Sequence, residues 1–162
     1  MIVSRFNPSI TEALREAART ALSEAGAAPA DVEELHVPGA FELPQAARCV
    51  AETGRFDAVI CLGCVIRGAT PHFEYISSAV AHGIMEAAGE TGVPIAFGVL
   101  TTDTEVQAKE RARDGRDNKG WEAAAAAIEM AVLFRKLGRA PARASSSRSF
   151  GFEPGGARGH DL

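Results

Sequence analysis

The sequence predicts an α/β fold, a three-layer αβα sandwich in which helices cover both faces of a central four-stranded parallel sheet. Short apolar segments suited to strands alternate along the chain with longer segments of helical periodicity. This alternation favours parallel strands, which are buried on both faces and therefore form continuous apolar runs. With 162 residues, 46% of them hydrophobic, the chain is large enough to build one such core.

Each strand segment is bounded by turn residues and followed by a helix segment. The predicted strands are residues 2–6, 32–37, 58–62 and 95–100. The predicted helices are residues 9–25, 43–53, 73–88, 104–112 and 119–137. Ser9, with Glu12 three residues later, predicts a capping box at the start of the first helix, and Gly26 marks its end. Gly138 marks the end of the last helix in the same way.

Beyond residue 138 the composition shifts to arginine, serine, glycine and proline. A stretch of this kind buries too little apolar surface to offset the entropy that is lost on ordering. We therefore predict one domain over residues 1–138 and a disordered tail over residues 139–162.

Bulk properties argue against several classes of partner. The formal net charge is −4, which gives no support for nucleic acid or an anionic membrane as a partner. No apolar run reaches the ~18 residues of a membrane span, and no secretory segment opens the chain. We therefore predict a cytoplasmic protein.

The chain has three cysteines, Cys49, Cys61 and Cys64, which do not form a disulfide framework. Cys61 and Cys64 match a C-x-x-C pattern, but residues three apart in a strand point to opposite faces, so their sulfurs should diverge. No second cysteine pair completes a tetrahedral zinc site. We expect these cysteines to serve packing, and we predict no metal site.

The strand-to-helix turns are the expected location of a ligand site. Right-handed crossovers place all of these turns at one edge of a parallel sheet, where open α/β folds bind ligands. The candidate turns are residues 6–8, 38–42, 65–72 and 100–103. We therefore expect four segments that are distant in sequence to converge in space.

The turn after the third strand is the segment best suited to chemistry. Gly68 and Ala69 lie where the strand gives way to a helix, with Thr70 and Pro71 at the helix start. Free backbone N–H groups and the helix dipole make such a junction an anion site. His72 follows directly, and histidine is the side chain that changes charge near neutral pH and moves protons. This combination suggests a phosphorylated substrate.

Other candidates have ordinary structural interpretations when they are taken singly. Phe6 and Phe97 fit core positions, and Arg111 fits a solvated helix face. Glu42 and Lys119 fit helix starts. The chain also lacks the Gly-x-x-x-x-Gly-Lys-Ser/Thr, Gly-x-Gly-x-x-Gly and Gly-x-Ser-x-Gly motifs, so the corresponding nucleotide-binding and hydrolase functions lose their main support.

Taken together and in order, six segments change this interpretation. They are Arg5-Phe6-Asn7, Val37-Pro38-Gly39-Ala40-Phe41-Glu42-Leu43-Pro44, Leu62-Gly63-Cys64-Val65-Ile66-Arg67-Gly68-Ala69-Thr70-Pro71-His72-Phe73, Phe97-Gly98-Val99-Leu100-Thr101-Thr102, Glu110-Arg111-Ala112 and Asn118-Lys119-Gly120-Trp121-Glu122-Ala123. The set closely resembles the lumazine synthase family, and the resemblance covers residues 1–137. Several of the motifs are long and unusual, so chance is a poor explanation.

The resemblance implies a flavodoxin-like fold and the penultimate step of riboflavin biosynthesis. In that step 5-amino-6-(D-ribitylamino)uracil condenses with 3,4-dihydroxy-2-butanone 4-phosphate to give 6,7-dimethyl-8-ribityllumazine, phosphate and water. The resemblance implies no cofactor and no metal, because the amine is already nucleophilic and phosphate is a good leaving group. The implied partners are therefore small-molecule substrates.

The resemblance also implies roles for individual residues. It gives proton transfer to His72. The implied binding residues for the pyrimidine are Phe6, which stacks on the ring, with Ala40, Phe41, Glu42, Cys64, Val65, Ile66, Phe97 and Lys119. The implied binding residues for the phosphorylated substrate are Gly68, Ala69, Thr70 and Arg111.

Sites in this family are shared between subunits, and Phe97 and Arg111 reach the site from a neighbour, so we predict a homo-oligomer. The alanine-rich segment 119–137 predicts close helix packing around the axis of a pentamer. The family has a further N-terminal strand that pairs with the neighbouring sheet, and here we expect that fifth strand to be truncated. Because residues 113–117 are also highly charged, we expect free pentamers more than icosahedral shells.

Three alternatives share the fold. An archaeal-type riboflavin synthase joins two lumazine molecules and needs no phosphate clamp, so Arg111 and residues 68–70 argue against it. A non-catalytic flavin-binding protein would retain flavin without turnover, and a shell-forming protein would assemble without binding either substrate.

Overall fold

A computed structural model of the chain describes residues 1–138, so the predicted tail lies outside the described residues. The strands are β1 (Ile2–Ser4), β2 (Leu35–Val37), β3 (Val59–Ile66) and β4 (Ile95–Thr102). The helices are α1 (Pro8–Glu24), α2 (Leu43–Glu52), α3 (His72–Thr91), α4 (Glu105–Arg111) and α5 (Lys119–Lys136), with short 3-10 turns at Pro29–Asp31 and Ala40–Glu42. Within the described part of the chain no helix has both the length and the apolar composition that a bilayer crossing requires.

The four strands form one parallel sheet in the order β2-β1-β3-β4, which confirms the predicted fold class. β3 and β4 share the longest ladder, with register from Val59 opposite Ile95 to Ile66 opposite Thr102. β1 pairs with β2 on one side and β3 on the other. The chain reverses its direction of travel across the sheet between β1 and β3, and such switch points are where open α/β sheets bind ligands.

Helices cover both faces of the sheet, as predicted, and β3 shows this most clearly. Its residues Ile60, Leu62 and Cys64 enter the core formed with α1, α4 and α5. Its residues Val59 and Cys61 enter the separate core formed with α2 and α3. The two sulfurs of the C-x-x-C segment therefore lie on opposite faces, as predicted, and both thiols are free. Burial raises the pKa of Cys61 to about 12 and that of Cys64 to about 11.

The predicted capping box at Ser9 is wrong. The helix begins at Pro8, and Asn7 occupies the cap position in the left-handed conformation, with φ 57° and no side-chain capping bond. Asparagine tolerates this conformation, and proline suits the first helical position, so together they start the helix one residue early. Glu12 instead pairs with Arg15 at 2.7 Å on the helix surface.

The predicted third strand is too short, because β3 continues to Ile66 where the sequence suggested a turn after Leu62. The long ladder with β4 carries the strand past Gly63. A Cβ at Gly63 would lie 3.0 Å from Leu43 Cδ1, so glycine here lets the start of α2 pack closely on the sheet. The first strand is shorter than predicted and ends at Ser4, so Phe6 lies outside it.

Three of the five alanines at positions 123–127 of α5 pack inside the chain and therefore cannot line a central helix axis, whereas Ala126 is exposed. Ala123, Ala124 and Ala127 are buried in the core shared with α1 and the sheet. At Gly120 the helices approach so closely that an added Cβ would lie 2.0 Å from the Leu14 carbonyl oxygen. The small residues therefore serve α1–α5 packing, and the pentamer stays a prediction on other grounds.

This close approach predicts a large stability effect. In Gly120→Ala the two helix backbones must move apart, and we expect the free energy of unfolding to fall by about 3 kcal/mol. For a domain of this size that corresponds to a fall in Tm of roughly 6–12 °C, measured by calorimetry. The matched control is Gly89→Ala in α3, where an added Cβ meets nothing within 4 Å. It should keep or gain stability, because alanine is the better helix former. Equal Tm values for Gly120→Ala and Gly89→Ala would contradict the packing argument.

Candidate active site

The strand-to-helix turns converge at the carboxyl edge of the sheet, as predicted. The backbone N–H of Arg5, just after β1, donates to the Val37 carbonyl at the end of β2 with a distance of 2.9 Å. The Asn7 side-chain Nδ2 donates to the Cys64 carbonyl in β3 with a distance of 3.0 Å. The second bond crosses the switch point between β1 and β3. It ties the segment that carries the Phe6 ring to the strand that leads to His72.

The turn between β3 and α3 is open to solvent. Gly68, Ala69 and Thr70 are all exposed, and His72 is the exposed first residue of α3. Pro71 occupies the cap position, one place before the predicted first turn, and no side chain caps this helix start. The long helix α3 therefore presents its N-terminal backbone and positive dipole end beside the histidine. This arrangement suits a phosphate group.

Arg67 joins the two ends of this turn to β4. Its Nε lies 2.6 Å from Asp103 Oδ1, and its Nη1 pairs with Glu74 Oε1. The guanidinium also lies over the Phe73 ring, 4.3 Å from the ring centroid. The hydrogen bond from Arg67 lowers the pKa of the Glu74 carboxyl, so this carboxylate is ionised and the pair is formed at neutral pH.

The turn after β2 forms a 3-10 turn over Ala40–Glu42. Glu42 Oε2 accepts a hydrogen bond from the Gly39 N–H at 2.9 Å, so one of its carboxylate oxygens holds the turn. Ala40 is buried beneath the turn, whereas the Phe41 ring is 57% exposed. The pyrimidine-binding role of this segment stays a prediction, and the exposed Phe41 ring is its most accessible side chain.

Two predicted aromatic residues are not core residues. Phe6 is 69% exposed and Phe97 is 44% exposed. Burial of a phenylalanine ring is worth about 1.5–3 kcal/mol in a folded domain, so rings left in solvent favour a binding role. The core interpretation, which each residue allowed when it was taken singly, is wrong for both.

Cys64, Val65 and Ile66 lie within β3 and not in the turn, which begins at Arg67. They are registered with residues 100–102 of β4. On the other side β1 is registered with β3 only as far as Leu62. The end of β3 therefore extends past β1, and there the Asn7 side chain donates a hydrogen bond to the Cys64 carbonyl. The binding role of Cys64, Val65 and Ile66 stays a prediction.

Three further predicted residues, Phe97, Arg111 and Lys119, come together elsewhere in the chain. They line a groove of about 430 Å³ along β4, which we call the β4 groove. Its lining residues are Ala96, Phe97, Gly98, Val99, Leu100, Thr101, Arg111, Lys119, Glu122, Ala123 and Ala126. Lys119 Nζ pairs with the Glu122 carboxylate at 2.7 Å, and Arg111 Nη1 donates to the Gln107 carbonyl at 3.0 Å.

The structure thus separates the predicted residues into two groups. The carboxyl-edge group consists of Phe6, Ala40, Phe41, Glu42, Cys64, Val65, Ile66, Gly68, Ala69, Thr70 and His72. Within residues 1–138 the lining of the β4 groove includes none of them. β4 is an edge strand that pairs only with β3 among the described strands, so the groove borders an unpaired strand edge.

Two polar residues at the carboxyl edge, Asn7 and Asp103, lie in turns that the sequence predicted, but the sequence indicated no partner for either. Asn7 bridges β1 to β3, and its position between an aromatic residue and a proline was the only local signal. Asp103 pairs with Arg67, and its position directly after β4 was the corresponding signal. Among residues 1–138 no three His, Cys, Asp or Glu side chains cluster as a metal site would require.

The chain matches a known protein family over almost all of its described residues. The family model described as 6,7-dimethyl-8-ribityllumazine synthase matches residues 1–135, which include every predicted site residue. The chain belongs to this family. The resemblance drawn from the six sequence segments is thereby confirmed.

Two curated members of the lumazine synthase family show how close the relation is. A 6,7-dimethyl-8-ribityllumazine synthase from Syntrophus aciditrophicus (strain SB) is 58% identical over 135 residues, covering 83% of this chain and 88% of that protein. One from Anaeromyxobacter dehalogenans (strain 2CP-C) is 52% identical over 143 residues, covering 88% of each. At these identities the parallel sheet and the turns at its carboxyl edge belong to the lumazine synthase fold.

Proposed function

We infer that the chain condenses 5-amino-6-(D-ribitylamino)uracil with 3,4-dihydroxy-2-butanone 4-phosphate to form 6,7-dimethyl-8-ribityllumazine, phosphate and water. The observation that carries this inference is the match to the lumazine synthase family over residues 1–135. The open turn at the start of α3, with a histidine beside it, supports the same conclusion on chemical grounds. No specific observation favours a flavin-binding or shell-forming protein without activity.

The phosphorylated substrate is assigned to the turn between β3 and α3. Gly68, Ala69 and Thr70 are exposed and precede the uncapped helix start, where backbone N–H groups attract an anion. Arg111 adds a guanidinium that matches phosphate oxygens in a bidentate pair. This assignment places the leaving phosphate beside His72.

The pyrimidine substrate is assigned to the cleft at the switch point. The exposed Phe6 ring offers a face for stacking on the pyrimidine, and the end of β3 beyond Leu62 offers backbone groups to its edge. Glu42 accepts from ribityl hydroxyls through the oxygen that does not hold Gly39. The two substrates then lie side by side across the β1–β3 boundary.

The chemistry follows from this placement. The pyrimidine amine attacks the ketone carbonyl, water leaves to form an imine, phosphate is eliminated and the ring closes with loss of a second water. His72 moves protons between these steps, a contribution that is typically 100- to 10,000-fold. Holding two substrates in attack geometry contributes more, up to ~7–11 kcal/mol of the barrier.

We place the complete site between two subunits of a homopentamer. Phe97, Arg111 and Lys119 lie in the β4 groove, whose lining is distinct from the carboxyl-edge group of the same chain. An arrangement in which the β4 groove of one subunit faces the carboxyl edge of the next brings the two groups together. When every subunit makes the same head-to-tail contact, the subunits close into a ring with cyclic symmetry. The cytoplasmic location stays a prediction.

The test is turnover of the purified chain with both substrates. We expect the absorbance and fluorescence of the lumazine product to appear together with one phosphate per product, and neither to appear when one substrate is omitted. Native mass spectrometry of the same sample should show the pentamer. An assembled protein without product at saturating substrates would indicate the shell-forming alternative. Retention of flavin without turnover would indicate the flavin-binding alternative.

A further inference from the structure

Arg67 has partners from three parts of the carboxyl edge. Its backbone N–H donates to the Thr102 carbonyl at the end of β4 with a distance of 2.9 Å. Its guanidinium pairs with Asp103 just after β4 and with Glu74 in the first turn of α3. The same guanidinium lies over the Phe73 ring, 4.3 Å from its centroid. The backbone and side chain of Arg67 therefore connect the ends of β3 and β4 to the start of α3.

These contacts close the turn that carries the anion site. Arg67 immediately precedes Gly68, and its partners Phe73 and Glu74 immediately follow His72. The residues between them are small or exposed, and glycine adds backbone freedom. The conformation of this turn is consequently set by how its two ends are held together.

The same network extends toward the helix that carries Arg111. The Asp103 backbone N–H donates to the Gln107 side-chain oxygen at 2.9 Å, and the Gln107 carbonyl accepts from Arg111 at 3.0 Å. Gln107 also donates its backbone N–H to the Thr104 hydroxyl that caps α4. A continuous path of hydrogen bonds and ion pairs thus runs from the turn at His72 to α4.

Stability alone does not account for this arrangement. The side chains of Arg67, Glu74 and Asp103 are 43%, 51% and 63% exposed. Exposed ion pairs contribute little to the stability of a fold, because water screens them and side-chain entropy is lost. An arginine can nevertheless fix a loop when its planar fork pairs with two carboxylates and stacks on a ring, as it does here.

We propose that Arg67 is a positioning residue that holds the phosphate-binding turn and His72 in reactive geometry through Asp103, Glu74 and Phe73. This proposal rests on the proposed function. It assigns Arg67 no contact with the substrate, because both carboxylates and the ring already occupy its guanidinium. The charge and shape of the Arg67 side chain should therefore affect catalysis only by keeping the turn closed.

The first test compares Arg67→Gln with a matched control. Arg48 also bridges two carboxylates, Glu52 at 2.9 Å and Glu90 at 2.6 Å, and its side chain is 52% exposed, but it joins α2 to α3 away from the turn. In Arg67→Gln we expect kcat to fall and KM for the butanone phosphate to rise, each about 10-fold, because small misplacements at a reactive site are costly. Arg48→Gln should have the kcat and KM of wild type. The Tm of each variant should lie within about 3 °C of the wild-type Tm.

The second test separates positioning from direct phosphate binding. Asp103→Asn and Glu74→Gln release the Arg67 charge, so a directly binding Arg67 would hold phosphate at least as well as before. Under the proposal each variant loses kcat, Arg67→Lys recovers part of it, and Arg67→Gln/Asp103→Asn is no worse than Arg67→Gln alone. Lower KM for the phosphorylated substrate in Asp103→Asn, or additive losses in the double variant, would overturn the proposal.

The third measurement does not depend on activity. Amide hydrogen exchange at position 67 and at Glu74, whose N–H groups donate to the Thr102 and Pro71 carbonyls, should be about 10-fold faster in Arg67→Gln than in wild type, and unchanged in Arg48→Gln. Unchanged exchange would overturn the positioning role whether or not the chain is active. A wild-type protein that forms no lumazine but shows this exchange pattern would instead overturn the proposed function alone.

Discussion

In His72→Ala, kcat is expected to fall by about 100-fold while KM for each substrate stays within about 3-fold of wild type. The imidazole acts on proton transfers, which occur after both substrates have bound. Turnover should not vanish, because the turn and the stacking surface still hold the substrates together. His72 is exposed at the first position of α3, so the substitution removes no core contact. Steady-state kinetics with each substrate varied in turn provides the measurement.

The matched control for this variant lies on the same helix. His82 is exposed, and its Nδ1 donates to the Ser78 carbonyl one turn earlier at 2.8 Å. His82→Ala should keep the kcat of wild type. An unchanged kcat in His72→Ala would remove proton transfer from its role, and equal losses in both variants would point to a general effect on α3.

Arg111→Ala should raise KM for the butanone phosphate about 10- to 150-fold, which is the effect of losing a charge-assisted pair worth roughly 1.5–3 kcal/mol. KM for the pyrimidine should change much less, because the pyrimidine substrate carries no phosphate. The control is Arg113→Ala, two residues further on, whose Nε donates to the Glu110 carbonyl at 3.2 Å outside the β4 groove. Equal changes for both substrates would show that Arg111 has a structural role.

Mixing variants tests where Arg111 acts. Arg111→Ala subunits retain His72, and His72→Ala subunits retain Arg111. After unfolding and joint refolding in equal amounts, a closed ring with shared sites has about a quarter of its sites built from two intact halves. Recovery of activity above that of either variant alone is therefore expected. No recovery would place Arg111 in the site of its own chain and would contradict the shared-site arrangement.

Much of the fold and part of the site were predictable from local signals. The alternation of apolar runs with helical periodicity depends only on residues close in sequence, so the parallel sheet could be predicted from it. The strand-to-helix junction at Gly68 and Pro71 was predictable because both residue types favour such a turn, and its role as an anion site stays a prediction. Convergence of the four turns followed from the handedness of the crossovers.

Element boundaries and caps were less predictable, because partners distant in sequence decide them. β3 continues to Ile66 because β4 pairs with it over its full length, and no local pattern near Gly63 showed this. The first helix begins at Pro8 because Asn7 adopts a left-handed conformation while its side chain bonds to Cys64. The alanines of α5 pack on α1 within the chain, whereas composition alone allowed an intersubunit role equally well.

By itself, then, the sequence determined the fold class and the edge of the sheet where the strand-to-helix turns meet, because periodicity and backbone preference are local properties. Only the tertiary structure decided that Phe6 and Phe97 are exposed, that Arg67 is held between Asp103 and Glu74, and that Arg111 lies in a groove on an unpaired strand edge. The physical reason is that exposure, ion pairing and groove formation depend on which distant segments the sheet brings together.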